Sequence, residues 1–237
     1  IYTRCDTLSL HDALPISQAH IISAPDVESI YDVPINFEKE GLSDLMCELL
    51  SVKCRKPDSP RYLEWKKFVS NVRNSKEEVH IAVIGKYFDT GDFVLSDAYI
   101  SVIEAVKYSA YALKKKPVLT WFNALDFEKD PKKVKSLSKF DGILVPGGFG
   151  ARGIEGKLNV IKFARENKIP YFGLCYGMQL LVIEFARNVA GFKGAHSREV
   201  DPKSPHLVID VMESQKDIID GKNKKYGGTM RLGAYPC

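Results

Sequence analysis

Residues 140–189 read FDGILVPGGFGARGIEGKLNVIKFARENKIPYFGLCYGMQLLVIEFARNV. Two short apolar runs, 142–146 and 170–174, each give way to a helical stretch, 155–168 and 177–189. Leu158, Ile161 and Ala164 mark one stripe of the first helix. Runs of this length with β-branched residues, each followed by an amphipathic helix, are the pattern of buried parallel strands. The same alternation extends upstream. VHIAVIG at 79–85 is a strand. Tyr99, Val102, Ile103, Val106, Ala110 and Leu113 follow at helical spacing, and 118–122 is another strand. A later strand is expected at 207–212. The fold class predicted is α/β, an open and mostly parallel sheet with helices on both faces.

Within this frame, Gly173-Leu174-Cys175-Tyr176-Gly177 has the form G-x-nucleophile-x-G between a strand and a helix. Flanking glycines permit a sharp turn and close backbone approach. The turn lifts the cysteine above the sheet at a helix N-terminus, where the helix dipole and free amides favour a thiolate. A cysteine packed between strand and helix is the bland alternative. Pro146-Gly147-Gly148-Phe149-Gly150 ends the preceding strand. Its glycines can offer unobstructed N–H donors to an oxyanion. The natural donor pair is the amide of Gly148 and the amide of Tyr176. A tight turn or a phosphate-cradling loop is the alternative for this stretch. A base is harder to find. After Cys175 the histidines are His196, in a polar loop, and His206, which reads as solvated or capping. Neither has a carboxylate two positions on.

Composition narrows the classes. The chain has 237 residues, 45% hydrophobic and 27% charged, with a net charge of +4. This is globular composition, and the weak positive balance gives no argument for nucleic acid. The lysine-rich patches at 114–116, 132–135 and 222–225 read as solvated faces. The most apolar stretch, 171–185, contains Gly173, Gly177, Gln179 and Glu184, and so does not span a membrane. Five scattered cysteines show no metal-ligand spacing, and a reducing cytoplasm is the expected setting. Residues 1–17 fit no structural period and resemble translated adapter sequence, so they are expected to be non-native. Residues 18–56 read as the end of one domain, 57–78 as linker, and 79–237 as a second domain. Both ends read as cut.

The stretch 140–189 resembles the glutamine amidotransferase domain of the CTP synthase family. So do Ile84-Gly85-Lys86-Tyr87, Asp97-Ala98-Tyr99 with Ser101-Val102-Ile103-Glu104-Ala105, and GGTMRLG at 227–233. Residues 23–34, SAPDVESIYDVP, resemble the end of that family's synthetase domain. The resemblance implies a ligase that forms CTP from UTP, ATP and ammonia released from glutamine. It also implies magnesium, GTP as activator and a homotetramer, with no cofactor held by this part of the chain. Cys175 would be the nucleophile. Gly148, Tyr176, Gly177, Met178 and Gln179 would contact glutamine, and Glu199 would hold its α-amino group. Arg152, Gly153 and Glu155 would form a loop linked to GTP, and Asp26 and Val27 the edge of an ATP pocket. The family usually has leucine at the position of Tyr176, which is expected to alter the pocket lining. The family's His-x-Glu pair and α-carboxylate-binding arginine are expected beyond Cys237. Most of the synthetase domain, with its phosphate loop and magnesium ligands, is expected before Gln18. The chain alone is therefore expected to be largely inert. A non-catalytic amidotransferase-like regulatory or assembly module is the competing reading.

Overall fold

The computed structural model describes residues 17, 20–53, 59–85, 99–148 and 151–211. The chain divides into two compact units. One comprises 1–78 with 108–116, the other 79–107 with 117–237.

In the first unit a 3-10 turn, Ile30–Asp32, leads into α1 (Val33–Lys39) and α2 (Leu42–Leu49). Gly41, at φ +80°, separates the two helices. The segment read as linker contains α3, Pro60–Asn74. Its start is well specified. The Ser59 hydroxyl accepts from the Tyr62 amide, and Pro60 occupies the first turn. Phe68 of α3 stacks on Tyr108 at 4.4 Å, and Tyr31 sets its ring edge-on to Phe68 at 5.2 Å. The Trp65 indole donates to the Tyr31 carbonyl at 3.1 Å, and Arg73 pairs with Asp32. Aromatic edge-to-face packing of this kind, with its polar tips satisfied, holds α3 as part of a core. Asp26 is exposed and Val27 half-buried in the extended chain ahead of the 3-10 turn. Cys47 is disulfide-bonded, a departure from the reduced thiols expected of every cysteine, whereas Cys175 is free and exposed.

The second unit is built on β1 (Glu78–Gly85), β2 (Lys116–Asn123), β3 (Gly142–Val145) and β4 (Tyr171–Gly173), which lie in it except for the first residues of β1 and β2. They form one sheet in the order β2-β1-β3-β4, with β1, β3 and β4 parallel. Alternation sets the faces. Ala82, Ile84, Ile143 and Val145 pack with Phe127 of α5 (Ala124–Lys129) and with Val160 and Ala164 of α6 (Ile154–Glu166). On β2, Leu119 and Trp121 pack instead with Tyr99 and with Ile103 of α4 (Ile100–Ala112). The sheet is thus covered on both faces, as the sequence pattern implied. The 3-10 segment Pro131–Lys139 contains the lysines read as a solvated patch. Val134, Leu137 and Phe140 recur every third residue, the 3-10 period, so one side of it is apolar and Leu137 is wholly buried.

α7 (Tyr176–Asn188) packs against α6 through Ile154, Leu158, Ile161, Leu180 and Ile183. A bidentate pair crosses the same interface. The Arg165 guanidinium donates to Glu184, a wholly buried carboxylate, at 2.8–3.2 Å, and the Asn188 amide adds a bond at 3.1 Å. The downstream strand expected at 207–212 ends at Ile209, and Met212 lies outside the described residues. This strand is β6 (Leu207–Ile209) and pairs in parallel with β5 (His196–Ser197) in a separate two-stranded sheet.

Candidate active site

In a parallel sheet, functional groups gather where strands end and helices begin. Here β3 and β4 are adjacent, so residues 146–148 and Cys175 emerge side by side. The β4–α7 turn is completed by one residue. Cys175 has φ 50° and ψ −106°, outside every region an L-residue favours, including the left-handed helical one. Such a conformation costs about 1–3 kcal/mol and persists only where its surroundings impose it. The surroundings do so. The Leu174 amide donates to the Val145 carbonyl at 2.9 Å, continuing the ladder to the edge of the turn. The Gly177 amide donates back to Leu174, and the Tyr171 hydroxyl donates to the Gly177 carbonyl at 2.9 Å. Burial raises the Tyr171 phenol well above its ordinary pKa, so it remains a donor.

The two flanking glycines have separate steric reasons. A Cβ on Gly177 would lie 2.1 Å from the Val145 carbonyl oxygen, and one on Gly173 would lie 2.5 Å from the Gly177 carbonyl carbon. The backbone of α7 sits directly on the end of β3, with no room for a side chain. Gly147 is the close neighbour of the thiol. A Cβ there would be 3.4 Å from Cys175 Cβ and 3.8 Å from Sγ. Sequence reasoning singled out Gly148. The part of Gly147 depends on strand adjacency, which no local pattern reveals.

Tyr176 is where its neighbours did not foretell. Its ring is 4% exposed and packs into the α6–α7 core with Leu158 and Leu180. The ring therefore belongs to the α6–α7 core. Burial and the Glu199 carboxylate raise its phenol to about 12. That places Glu199, exposed in the turn after β5, within electrostatic reach of the start of α7. Met178 is exposed, and the Gln179 amide donates to the Cys175 carbonyl at 3.1 Å. Asp26 and Val27 belong to the other unit.

The histidines split. His196 is buried in β5, not in a polar loop. Its Nδ1 accepts from the Ser197 amide at 2.9 Å, which assigns the proton to Nε2. Burial lowers its pKa, and the Arg187 guanidinium lowers it further, against smaller opposing effects of Glu155 and Asp201. His206 is exposed with its ring against Phe192, as a solvated histidine should be. The loop residues are also fixed. Gly153 starts α6 at φ +78°, Arg152 is exposed, and Glu155 accepts from Arg187 at 3.0 and 3.3 Å. Arg187 also donates to the Ala195 carbonyl at 2.7 Å, tying α7 to α6 and to the approach to β5.

A strained cysteine at a strand–helix turn, with a glycine strand end against its sulfur, is the constellation of an acyl-transferring thiol. Comparison with known proteins agrees. The class-I glutamine amidotransferase family matches residues 94–237. The chain belongs to the class-I glutamine amidotransferases. It is similar to the CTP synthase of Bacillus licheniformis, 46% identical over 217 residues, covering 92% of this chain and 38% of that protein. The CTP synthase of Thermococcus gammatolerans is 47% identical over 221 residues, covering 93% and 39%. That of Caldanaerobacter subterraneus is 50% identical over 224 residues, covering 94% and 39%. The chain therefore spans under two fifths of these relatives' length. Among solved structures, the glutaminase domain of Trypanosoma brucei CTPS with bound acivicin matches with a TM-score of 0.53 and 38% identity. That match covers 58% of this chain and 51% of the solved one. Among the described residues no helix is long and apolar enough to cross a membrane, and no three His, Cys, Asp or Glu side chains cluster as metal ligands.

Proposed function

We propose that this amidotransferase hydrolyses glutamine at Cys175 and serves a CTP synthase, a C–N-forming ligase that aminates UTP at the expense of ATP. The observation that carries the reading is the Cys175 turn, with φ 50°, ψ −106° and Gly147 packed against it. The Cys175 sulfur attacks the side-chain amide carbon of glutamine. The electron pair of the carbonyl moves to oxygen, and the resulting oxyanion takes hydrogen bonds from the amides of Gly148 and Tyr176. Collapse breaks the C–N bond, the nitrogen takes the proton given up by the Cys175 thiol and leaves as ammonia, and a thioester remains. Water then cleaves the thioester to give glutamate and the free thiol.

Glu199 binds the substrate ammonium, for which a carboxylate is the fitting partner. Gly177, Met178 and Gln179 line the substrate's path beside the nucleophile. The base is not His196, whose Nδ1 is occupied and whose charged form is disfavoured. We infer that the chain by itself is largely inert, because no His-x-Glu sequence occurs in it to supply a base. Arg152, Gly153 and Glu155 make the loop that responds to GTP, and Asp26 and Val27 border the adenine of ATP. Magnesium is proposed to serve the ATP-dependent half of the whole enzyme's reaction. The whole enzyme is proposed to be a cytoplasmic homotetramer.

The test uses full-length enzyme carrying Cys175→Ala. Glutamine-dependent CTP formation should disappear while formation from added ammonia persists. Retention of glutamine-dependent synthesis would overturn the assignment.

A further inference from the structure

α6 carries two lysines in contrasting settings. Lys162 is exposed, as lysines ordinarily are, whereas Lys157 is 3% exposed. Burying an ammonium is costly unless the site around it compensates. The Lys157 Nζ lies 5.5 Å from the centroid of the Tyr176 ring, within cation–π range. It is also 4.0 Å from where a Cβ on Gly148 would stand. One buried cation thus lies close to both residues whose amides are proposed to bind the oxyanion. Its place is held firmly. The next residue back, Gly156, crosses α5 so closely that a Cβ would come within 1.9 Å of the Ala124 carbonyl oxygen. α6 therefore has no room to slide and carry Lys157 away.

We propose that Lys157 is a positioning residue of the glutaminase reaction, holding the Gly148 strand end and the Tyr176 helix start together so that their amides converge on the oxyanion. The inference rests on the glutaminase reading above. Its cation also supplies fixed positive charge behind the two donors, in a place where water cannot screen it. The side chain does not touch substrate and gives up no proton.

Two reagents separate this role from simple support of the fold. A chloroketone analogue of glutamine alkylates a thiol through addition to its ketone, which forms an oxyanion. Iodoacetamide alkylates by direct displacement at carbon and forms none. Both rates are measured on the full chain, with the modified residue mapped to Cys175 by mass spectrometry. Lys157→Met should slow chloroketone labelling about tenfold, a fraction of what loss of a direct oxyanion donor costs, and leave iodoacetamide labelling nearly unchanged. Lys157→Arg should recover most of the lost rate, and Lys162→Met should match wild type. Lys157→Gln replaces the methionine variant if that one does not fold. Equal rates for charge-free variant and wild type, or an equal fall with both reagents, would overturn the inference. If wild type reacts with iodoacetamide but shows no chloroketone preference for Cys175, the glutaminase reading itself falls, and this inference with it.

Discussion

The two strand-to-helix turns of the site solve the same problem in opposite ways. From β4 to α7 the chain has only Leu174 and Cys175, the latter at φ 50° and ψ −106°. From β3 to α6 it takes residues 146–153, and the helix begins at a left-handed glycine. The first turn is jammed, since a methyl on Gly177 or Gly173 would collide with backbone. The second is open at its start, where a methyl on Gly148 would meet nothing nearer than the Lys157 ammonium at 4.0 Å. The contrast follows from what each turn holds. The proposed roles account for this: a nucleophile gains from being unable to move, whereas the proposed oxyanion side must leave space for substrate.

Substitutions can break or sharpen this contrast. Gly177→Ala should have the largest effect. The added methyl meets a carbonyl, not a flexible side chain, and overpacking of this kind costs about 3 kcal/mol. Thermal unfolding should report the loss, and labelling of Cys175 should fall with it. Glu184→Gln comes next, because it breaks the pair that clamps α6 to α7. Removal of one partner from a fully buried pair costs about 3–5 kcal/mol. Arg165 is part-exposed here, so about 2 kcal/mol is expected from denaturant titration. Gly148→Ala should change stability by less than about 0.5 kcal/mol. Its chloroketone labelling should nevertheless drop, which would mark the open turn as functional space and not as packing.

The smallest effect is the pH dependence arising from His196. Its folded pKa lies below its unfolded value, so the unfolded chain takes up the proton first as pH falls. The stability linked to the neutral ring is complete above about pH 6.5 and is lost as pH falls from there towards the lowered folded pKa. His196→Gln, which keeps an acceptor for the Ser197 amide, should flatten the pH dependence of the melting temperature between about pH 7 and 5.

The parallel strands and the helices after them were legible because each announces its own period. The elbow was legible because its glycines and cysteine are contiguous. What escaped was either non-local or of unusual period. Val134, Leu137 and Phe140 form an apolar row only if the chain is 3-10 helical, so the lysines between them dominated the reading. The short helix expected from Pro60 to Phe68 runs on to Asn74, because Val69 and the aromatic contacts of Phe68 anchor it in a core that the charged residues after it do not announce. His196 sits among polar neighbours in sequence but is buried in β5, which pairs it with Leu207 of β6. Gly147, Gly156 and Lys157 matter through strands and helices distant in sequence. The direction of the Tyr176 ring is likewise set by α6 packing and not by the motif that contains it.

The central claim is that Cys175 is a nucleophile aimed at glutamine. Its most direct test is to label the intact chain with the glutamine chloroketone and map every modified residue by mass, with and without excess L-glutamine. Modification at Cys175 alone, slowed by glutamine and unaffected by an equal amount of L-asparagine, is the result predicted. Modification spread over other cysteines, or labelling of Cys175 indifferent to glutamine, would contradict it.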